Sequence, residues 1–412
     1  MRILMLAQAY APIVGGEERV VESLSGELVQ RGHDVAVAAL RQPVKQRDTG
    51  AGVRVYELRS SIHRLPGAQQ DAGRRYAPPA PDPETVRDLK RVLERERPDV
   101  VHAHNPLVHS FLPLKRSAKA ALVMSLHDYS VICAIKRLFR HGAVCSGPGP
   151  VKCTLCAGSY YGPARGPAMA LGTAASLPWL LRQVDLFLPV SRAVWELCGL
   201  GPDNDHIVMP NFVRESPARI RDDPRLAELP DEFVLFFGDV QVDKGARNLA
   251  DVYGTLDDAP PLVLLGRHYL DELKNRPNIH LLGPWPHALA MEALHRALFA
   301  VAPSIWAEPG AMVAYEAATV GKPLIASRIG GLQDIVVDGE TGLLVAPGDL
   351  GELRAALVRL IADGALRARL GENAARRARR NLSADVVIPR FEEAYRVAID
   401  TNRRRSRDGA VT

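Results

Sequence analysis

The sequence predicts an α/β protein built of two Rossmann-like halves. Three observations carry that expectation. Short apolar segments alternate with amphipathic helical segments, the pattern of a parallel sheet with helices between its strands. The apolar segments fall into two series of six, and a break from Pro210-Asn211-Phe212 to Pro230 separates the series. One open sheet of twelve strands would be too large for a single twisted core, so two domains are expected.

In the first half, strands are expected at 3–7, 34–40, 53–58, 100–104, 121–126 and 184–189. In the second half they are expected at 233–238, 262–266, 279–282, 298–302, 324–327 and 342–345. The domain bounds follow as 1–212 and 213–385. A helical segment, 386–405, then ends in Arg403-Arg404-Arg405, and the last residues of 386–412 are expected to be disordered. In open α/β sheets ligands gather at the carboxyl ends of the strands, so the cleft between the two domains is the expected site.

Composition adds limits. The 412 residues are 47% hydrophobic and 24% charged, ordinary values for a soluble globular protein. No apolar run is long enough to span a bilayer, and MRILMLAQAYAP is too short and polar for a signal peptide. A cytoplasmic location is expected, with the inner membrane surface as a second place. Charge is uneven. Residues 1–212 carry 26 Lys and Arg against 19 Asp and Glu, whereas the remainder is slightly acidic. Such a basic half suits an anionic acceptor or a membrane surface, or reflects solvated faces alone. Nucleic acid is not an expected partner.

Several motifs sit where strands end. Gly15-Gly16 lies between the first strand and its helix. Glycines there let the backbone approach a ligand while helix-start amides face an anion. His102 and His104 share one face of the strand VVHAH by alternation. His127 closes the strand MSLH and is followed by Asp128; a histidine there can donate to a sugar hydroxyl or stabilise developing charge. Ser191 is an N-cap candidate. In the second half, Lys244-Gly245 follows the strand FVLFFG. Glu308 and Glu316 then stand eight positions apart in PSIWAEPGAMVAYEAATVGKPLIAS. Glu308 follows a strand end, and Glu316 lies within a helix stopped by Gly321-Lys322-Pro323. Two carboxylates beside the positive end of a helix suit recognition of hydroxyl-rich, anionic ligands.

This order of motifs resembles the family-4 retaining glycosyltransferases, which have the GT-B fold. The resemblance is densest from Pro303 to Asp349, through the E-x7-E segment and GG-x-x-D-I-V-x-D-G-x-T-G-L-L-V-x-P-G-D. It implies two Rossmann-like domains facing across a cleft, the first on the acceptor side and the second holding a nucleotide-diphosphate sugar. It also implies that the C-terminal helix crosses back to the first domain. By the resemblance, Gly15-Gly16 lies near the donor phosphate and the acceptor, with Glu18 at the acidic position of the GG-x-E loop. His102 and His104 belong to the acceptor side, and His127 contacts the donor sugar. Lys244 neutralises the diphosphate, Glu308 holds a sugar hydroxyl, and Glu316 holds the ribose. The amides of Gly310, Ala311 and Met312 face the sugar and phosphate. No catalytic metal is implied. Two positions depart from the pattern. Asp239 stands where the family has a phosphate-binding arginine, with Arg247 or Arg267 as candidates to replace its charge, and Phe212 replaces a linker glycine.

Four cysteines, Cys133, Cys145, Cys153 and Cys156, fall within 24 residues as C-x11-C-x7-C-x2-C; Cys198 stands apart. A branch of the family carries a similar Cys-rich insert, here about 130–160. The spacing suits a structural zinc, with free thiols or a disulfide as alternatives. The apolar segment after it reads as a packing helix or as a contact with a membrane or lipid-linked acceptor. The activity implied is transfer of a sugar from a nucleotide-diphosphate sugar to a hydroxyl of a sugar, lipid-linked or small-molecule acceptor. A nucleotide-sugar epimerase and a non-catalytic scaffold are the alternatives.

Overall fold

The computed structural model describes residues 1–12, 15–43, 52–64, 76–213 and 220–408. It divides into two units. The first comprises Met1–Leu138, Ser146–Pro210 and Val387–Thr412; the second comprises Phe139–Cys145 and Asn211–Val386.

The first unit is built on β1 (Arg2–Ala7), β2 (Asp34–Leu40), β3 (Arg54–Leu58), β4 (Val100–Ala103), β5 (Ala121–Leu126) and β8 (Leu186–Pro189). All are parallel, in the order β3-β2-β1-β4-β5-β8. A two-stranded hairpin, β6 (Phe139–Arg140) and β7 (Ala143–Val144), lies between β5 and β8 in sequence. The second unit contains β9 (Val234–Phe237), β10 (Leu262–Leu265), β11 (Ile279–Leu282), β12 (Phe299–Ala302), β13 (Leu324–Ser327) and β14 (Gly342–Val345). Its order, β11-β10-β9-β12-β13-β14, repeats that of the first. The expected α/β class with two Rossmann-like units of the GT-B fold is therefore what the chain forms. Each of the twelve expected strands is present. Several are a residue or two shorter than expected, because residues such as His104, Gly238 and Gly266 leave the ladder for loops.

Both sheets are covered on both faces, which is why their strands read as continuous apolar runs. In β9, Leu235 packs in one buried cluster with Val263 and Tyr315, while Val234 and Phe236 pack in another with Leu249 and Leu357. Helices begin where carboxylates or hydroxyls accept the free first-turn amides. Asp82, Asp349 and Asp363 each cap a helix in this way, and Ser191 accepts from the Val194 amide at 3.2 Å. The reading of Ser191 as a cap is thus sufficient for it.

The last helix, Ala384–Asp408, returns to the first unit from Val387 onward. Val387, Ile388, Phe391, Ala394, Tyr395 and Ala398 are buried at helical spacing. Polar contacts fix its register. Arg31 donates to the two oxygens of Glu392 at 2.9 and 3.2 Å, and His33 Nε2 lies 2.8 Å from the same carboxylate. Further along, Lys115 Nζ donates to Asp185 at 2.7 Å and to Asn402 at 2.6 Å. The final residues, 409–412, lie outside the described residues.

The Arg31 guanidinium, followed by His33, holds the Glu392 carboxyl down at about 2. A depressed carboxyl stabilises the fold above its unfolded value and loses that effect as pH falls through its folded value. Glu392→Gln is expected to lower stability at neutral pH by about 1–2 kcal/mol. The gap from wild type should narrow as pH falls from the ordinary carboxylate range towards 2, checked by urea unfolding over that range.

Candidate functional site

In a parallel sheet of this order, the crossovers leave the first and fourth strands in opposite directions, opening a crevice at their carboxyl ends. In the second unit those strands are β9 and β12. The loop after β9 carries Lys244, and the loop after β12 carries Glu308. They meet: Lys244 Nζ donates to Glu308 Oε2 at 2.6 Å, and its ammonium lies 5.4 Å from the centre of the Trp306 ring. Ser304 Oγ donates to the other oxygen of Glu308. Glu308 is 5% exposed, so these partners supply the hydrogen bonds that water would otherwise make.

Backbone contacts hold the two loops together. Ile305 N donates to Asp243 O at 2.9 Å. Gly245, at φ +76°, lies so near Pro303 that a Cβ would overlap its carbonyl. Gly330, at φ +58°, likewise lies on the backbone of Glu308, and Gly331 N donates to Glu308 O at 2.7 Å. The residues after β13 therefore clamp the Glu308 loop from behind.

Glu316 lies in the helix Met312–Thr319 and is 3% exposed. Its Oε1 is 2.7 Å from His287 Nε2, at the start of the helix His287–Arg296. Gly310, Ala311 and Met312 lead into the Glu316 helix, with Ala311 as an N-cap that offers no side-chain acceptor. Its first-turn amides thus lack a side-chain cap and keep their donor capacity.

Asp239 lies just after β9. Arg267, just after β10, grips it with both arms, Nε to Oδ1 at 3.0 Å and Nη2 to Oδ2 at 2.9 Å. Gly266 has its backbone against Gly238, leaving no room for a Cβ, which brings these loops side by side. The reversed charge at Asp239 is thereby matched by an exposed arginine from the neighbouring strand. Arg247, the other candidate, is turned to Glu272 on the surface.

The first unit has the same geometry around β1 and β4. Gly15 caps the helix Gly16–Gln30 without a side-chain acceptor, and a Cβ on Gly16 would meet nothing within 4 Å. Glu17 in the first turn accepts from Asn105 Nδ2 at 2.6 Å. The amide orientation is set, because Asn105 Oδ1 accepts from Leu107 N at 3.0 Å. Burial, and then the neighbouring Glu18, raise the Glu17 carboxyl to about 8. His104 Nδ1 is 2.9 Å from His127 Nε2. Burial depresses both imidazoles, that of His127 to about 4, so both are neutral at neutral pH. His104 Nε2 is buried without a partner. An unpaired N–H is costlier there than an unpaired lone pair, which puts the His104 proton on Nδ1. His127 then accepts at Nε2 and keeps Nδ1–H as its donor. His102 is held within the core by Tyr395 at 3.0 Å and Ser125 at 2.8 Å.

The four clustered cysteines all lie between β5 and the end of the helix Pro150–Tyr161. Cys153 and Cys156 lie one turn apart on the helix Pro150–Tyr161, and Cys153 Sγ accepts from Gly149 N at 3.3 Å. Backbone N–H groups of Ile135, Arg137 and Leu138 donate to Cys133, whose thiol is pushed up by burial. Cys145 follows β7. No disulfide joins the described cysteines, and no group of three or more His, Cys, Asp or Glu among the described residues is placed to hold a metal ion.

Sequence reasoning missed His287, Ser304 and Glu17. His287 follows Pro286 directly, and Pro just before a helix was a usable start signal.

Residues 15–211 match the glycosyl transferase 4-like domain, and residues 219–377 match glycosyl transferases group 1. A glycogen synthase of Mycobacterium tuberculosis is 29% identical over 93% of this chain and 91% of its own. Among solved structures, a sucrose-phosphate synthase from Thermosynechococcus elongatus superposes with a TM-score of 0.73 at 19% identity, covering 96% of this chain and 98% of that one. The Anabaena protein HepE, solved with UDP-glucose, gives 0.67 at 16% identity, with 95% and 98% covered.

Two glycines test the clamp on Glu308. Gly339, at φ +71°, has open space where a Cβ would be, so Gly339→Ala meets backbone strain alone. That change is expected to cost about 1 kcal/mol. Gly330→Ala adds a clash with the Glu308 backbone and is expected to cost about 2–3 kcal/mol. Chemical unfolding of the two variants checks the difference. The sheet order, the two domain matches and the relatives together place this chain among the GT-B glycosyltransferases.

Proposed function

We propose that the chain moves a sugar from a nucleotide-diphosphate sugar to a hydroxyl acceptor with retention at the anomeric carbon. The observation that carries this reading is the Lys244–Glu308 pair at the β9/β12 crevice, with Glu316 beyond it on the following helix. A half-buried cation beside a buried carboxylate suits a ligand that brings a diphosphate for the one and hydroxyls for the other. In the proposed reaction Lys244 and the amides of Gly310, Ala311 and Met312 stabilise the departing diphosphate. These groups are fixed before reaction, which is how such charges act without reorganisation. Arg267 adds charge at the place that Asp239 would otherwise make anionic. Glu308 accepts from a hydroxyl of the sugar, and Glu316 from the ribose, with His287 holding Glu316 in place.

The C1–O bond to the diphosphate breaks as the acceptor oxygen bonds to C1 from the same face. The hydroxyl proton leaves with the diphosphate oxygen. His127 donates Nδ1–H to a sugar hydroxyl as a neutral group, and the open space at Gly16 lets the protein backbone approach the ligand. The charges named are protein groups, so the reading assigns no catalytic metal.

HepE was solved with UDP-glucose, so uridine diphosphate sugars head the donor screen. Thermal shift across uridine, guanosine, adenosine and thymidine diphosphate sugars should single out one base. With that donor, Glu316→Ala should weaken binding about 100-fold, and an unchanged affinity would sink the site assignment. Lys244→Ala should lower kcat about 100- to 1,000-fold. Donor consumption that requires an acceptor separates transfer from epimerisation and from a binding scaffold.

A further inference from the structure

Between Asp128 and Asp185 the chain has no carboxylate side chain: residues 129–184 hold six Lys and Arg and no Asp or Glu. Two helices of this stretch, Pro150–Tyr161 and Arg165–Gln183, pack on each other. Gly166 makes the contact close, since a Cβ there would overlap the backbone of Ala157 and Gly158. Gly172 brings the second helix against Pro79.

Each helix of the pair presents large apolar side chains to solvent. Val151 is 71% exposed, Leu155 60%, Tyr160 58% and Leu171 71%. Nine large hydrophobic side chains are exposed among the described residues, and four of them are these. Ala168, Ala174, Ala175 and Pro178 extend the exposed apolar face along the second helix. Residues 166–181 carry no charge, and Arg165 and Arg182 bracket them. A patch of this kind, rimmed by cations, marks a surface that meets something apolar and anionic. No helix among the described residues is long and apolar enough to cross a membrane, so the pair fits a surface rather than a span.

We propose that this helical pair docks on an anionic lipid bilayer. Val151, Leu155 and Leu171 enter the headgroup–acyl boundary, while Lys152, Arg165 and Arg182 meet lipid phosphates. Charge selects this occupant over a second copy of the chain. A copy would bring the same carboxylate-free, cationic face against itself, whereas an anionic leaflet attracts each Lys and Arg near its surface. The proposal stands apart from the reaction assigned above, because it is read by binding alone.

The test is co-sedimentation of the full chain with vesicles of phosphatidylcholine, with and without phosphatidylglycerol. Binding is expected to be at least about tenfold tighter to the anionic vesicles and to weaken at high salt. The double variant Leu155→Glu, Leu171→Glu should lose at least about tenfold in partitioning. Both positions are exposed, so its melting temperature should match wild type, which separates lost docking from lost folding. Arg165→Gln with Arg182→Gln should weaken binding to anionic vesicles alone. Equal binding to both vesicle types, or a double variant that binds as wild type does, overturns the proposal. So does a wild-type dimer in sedimentation equilibrium that the double variant abolishes.

Discussion

Backbone lies directly on backbone at the carboxyl ends of the second sheet, and the candidate site depends on it. Gly245 rests on Pro303, Gly266 on Gly238, and Gly330 on Glu308, each at a distance that leaves no room for a Cβ. These contacts close three loops into one surface. They bring Lys244 to Glu308 and Arg267 to Asp239, pairs drawn from residues 64 and 28 positions apart. Lys244 and Arg267 are long side chains with many rotamers, and pinning their loops limits the entropy lost on pairing. The parallel sheet supplies the rest. Its strands are apolar on both faces, so polar chemistry is confined to the ends where the ladder stops.

Burial then decides which pairings are required. Glu308 and Glu316 are almost wholly enclosed, and an enclosed carboxylate without partners would be expensive. Ser304 and Lys244 take up Glu308, and His287 takes up Glu316. Under the proposed reaction, the arriving donor competes for partners that already satisfy these carboxylates. The protein groups therefore stay positioned in the unliganded chain instead of turning to solvent. Asp239 follows the same logic. Alone it would repel a diphosphate, whereas with Arg267 across it the pair is neutral and leaves guanidinium surface exposed. The departure from the family pattern thus leaves a neutral pair where the pattern has an arginine, with the Arg267 guanidinium on its exposed side.

Much of this was legible from residue order. Most strands showed as apolar runs because they are buried on both faces, the edge strands β3 and β11 excepted. Glu308, Glu316 and Lys244 were legible because their neighbours follow a family pattern. The hairpin at Phe139–Val144 was not, since strands of two residues have no periodicity to read. His287 and Ser304 were not, because their roles rest on contacts across 29 and 4 positions that only the fold creates. Pairing of Glu17 with Asn105 needed the meeting of two strand ends 88 residues apart. The cysteine spacing leaves the geometry open for a related reason. Spacing counts residues, while ligation needs directions, and a helix through Cys153 and Cys156 sets those directions by its own geometry.

The strand-end groups around β1 and β4 and those around β9 and β12 differ in the kind of polarity they hold. In the second, Lys244 and Glu308 form an ion pair, with an Arg–Asp pair at the rim. In the first, burial drives each group towards neutrality: His104 and His127 lose their charge, and Glu17 holds a proton to about 8. Such groups still donate and accept hydrogen bonds, but they set up little field. A diphosphate needs fixed charge, since its own charge grows as the C1–O bond breaks. A hydroxyl acceptor needs orientation, and a strong field around it would raise the cost of desolvating the site without helping to place it. Under the proposed reaction, neutral donors at the strand ends of the first unit suit an uncharged hydroxyl, and ion pairs at those of the second suit a charged donor.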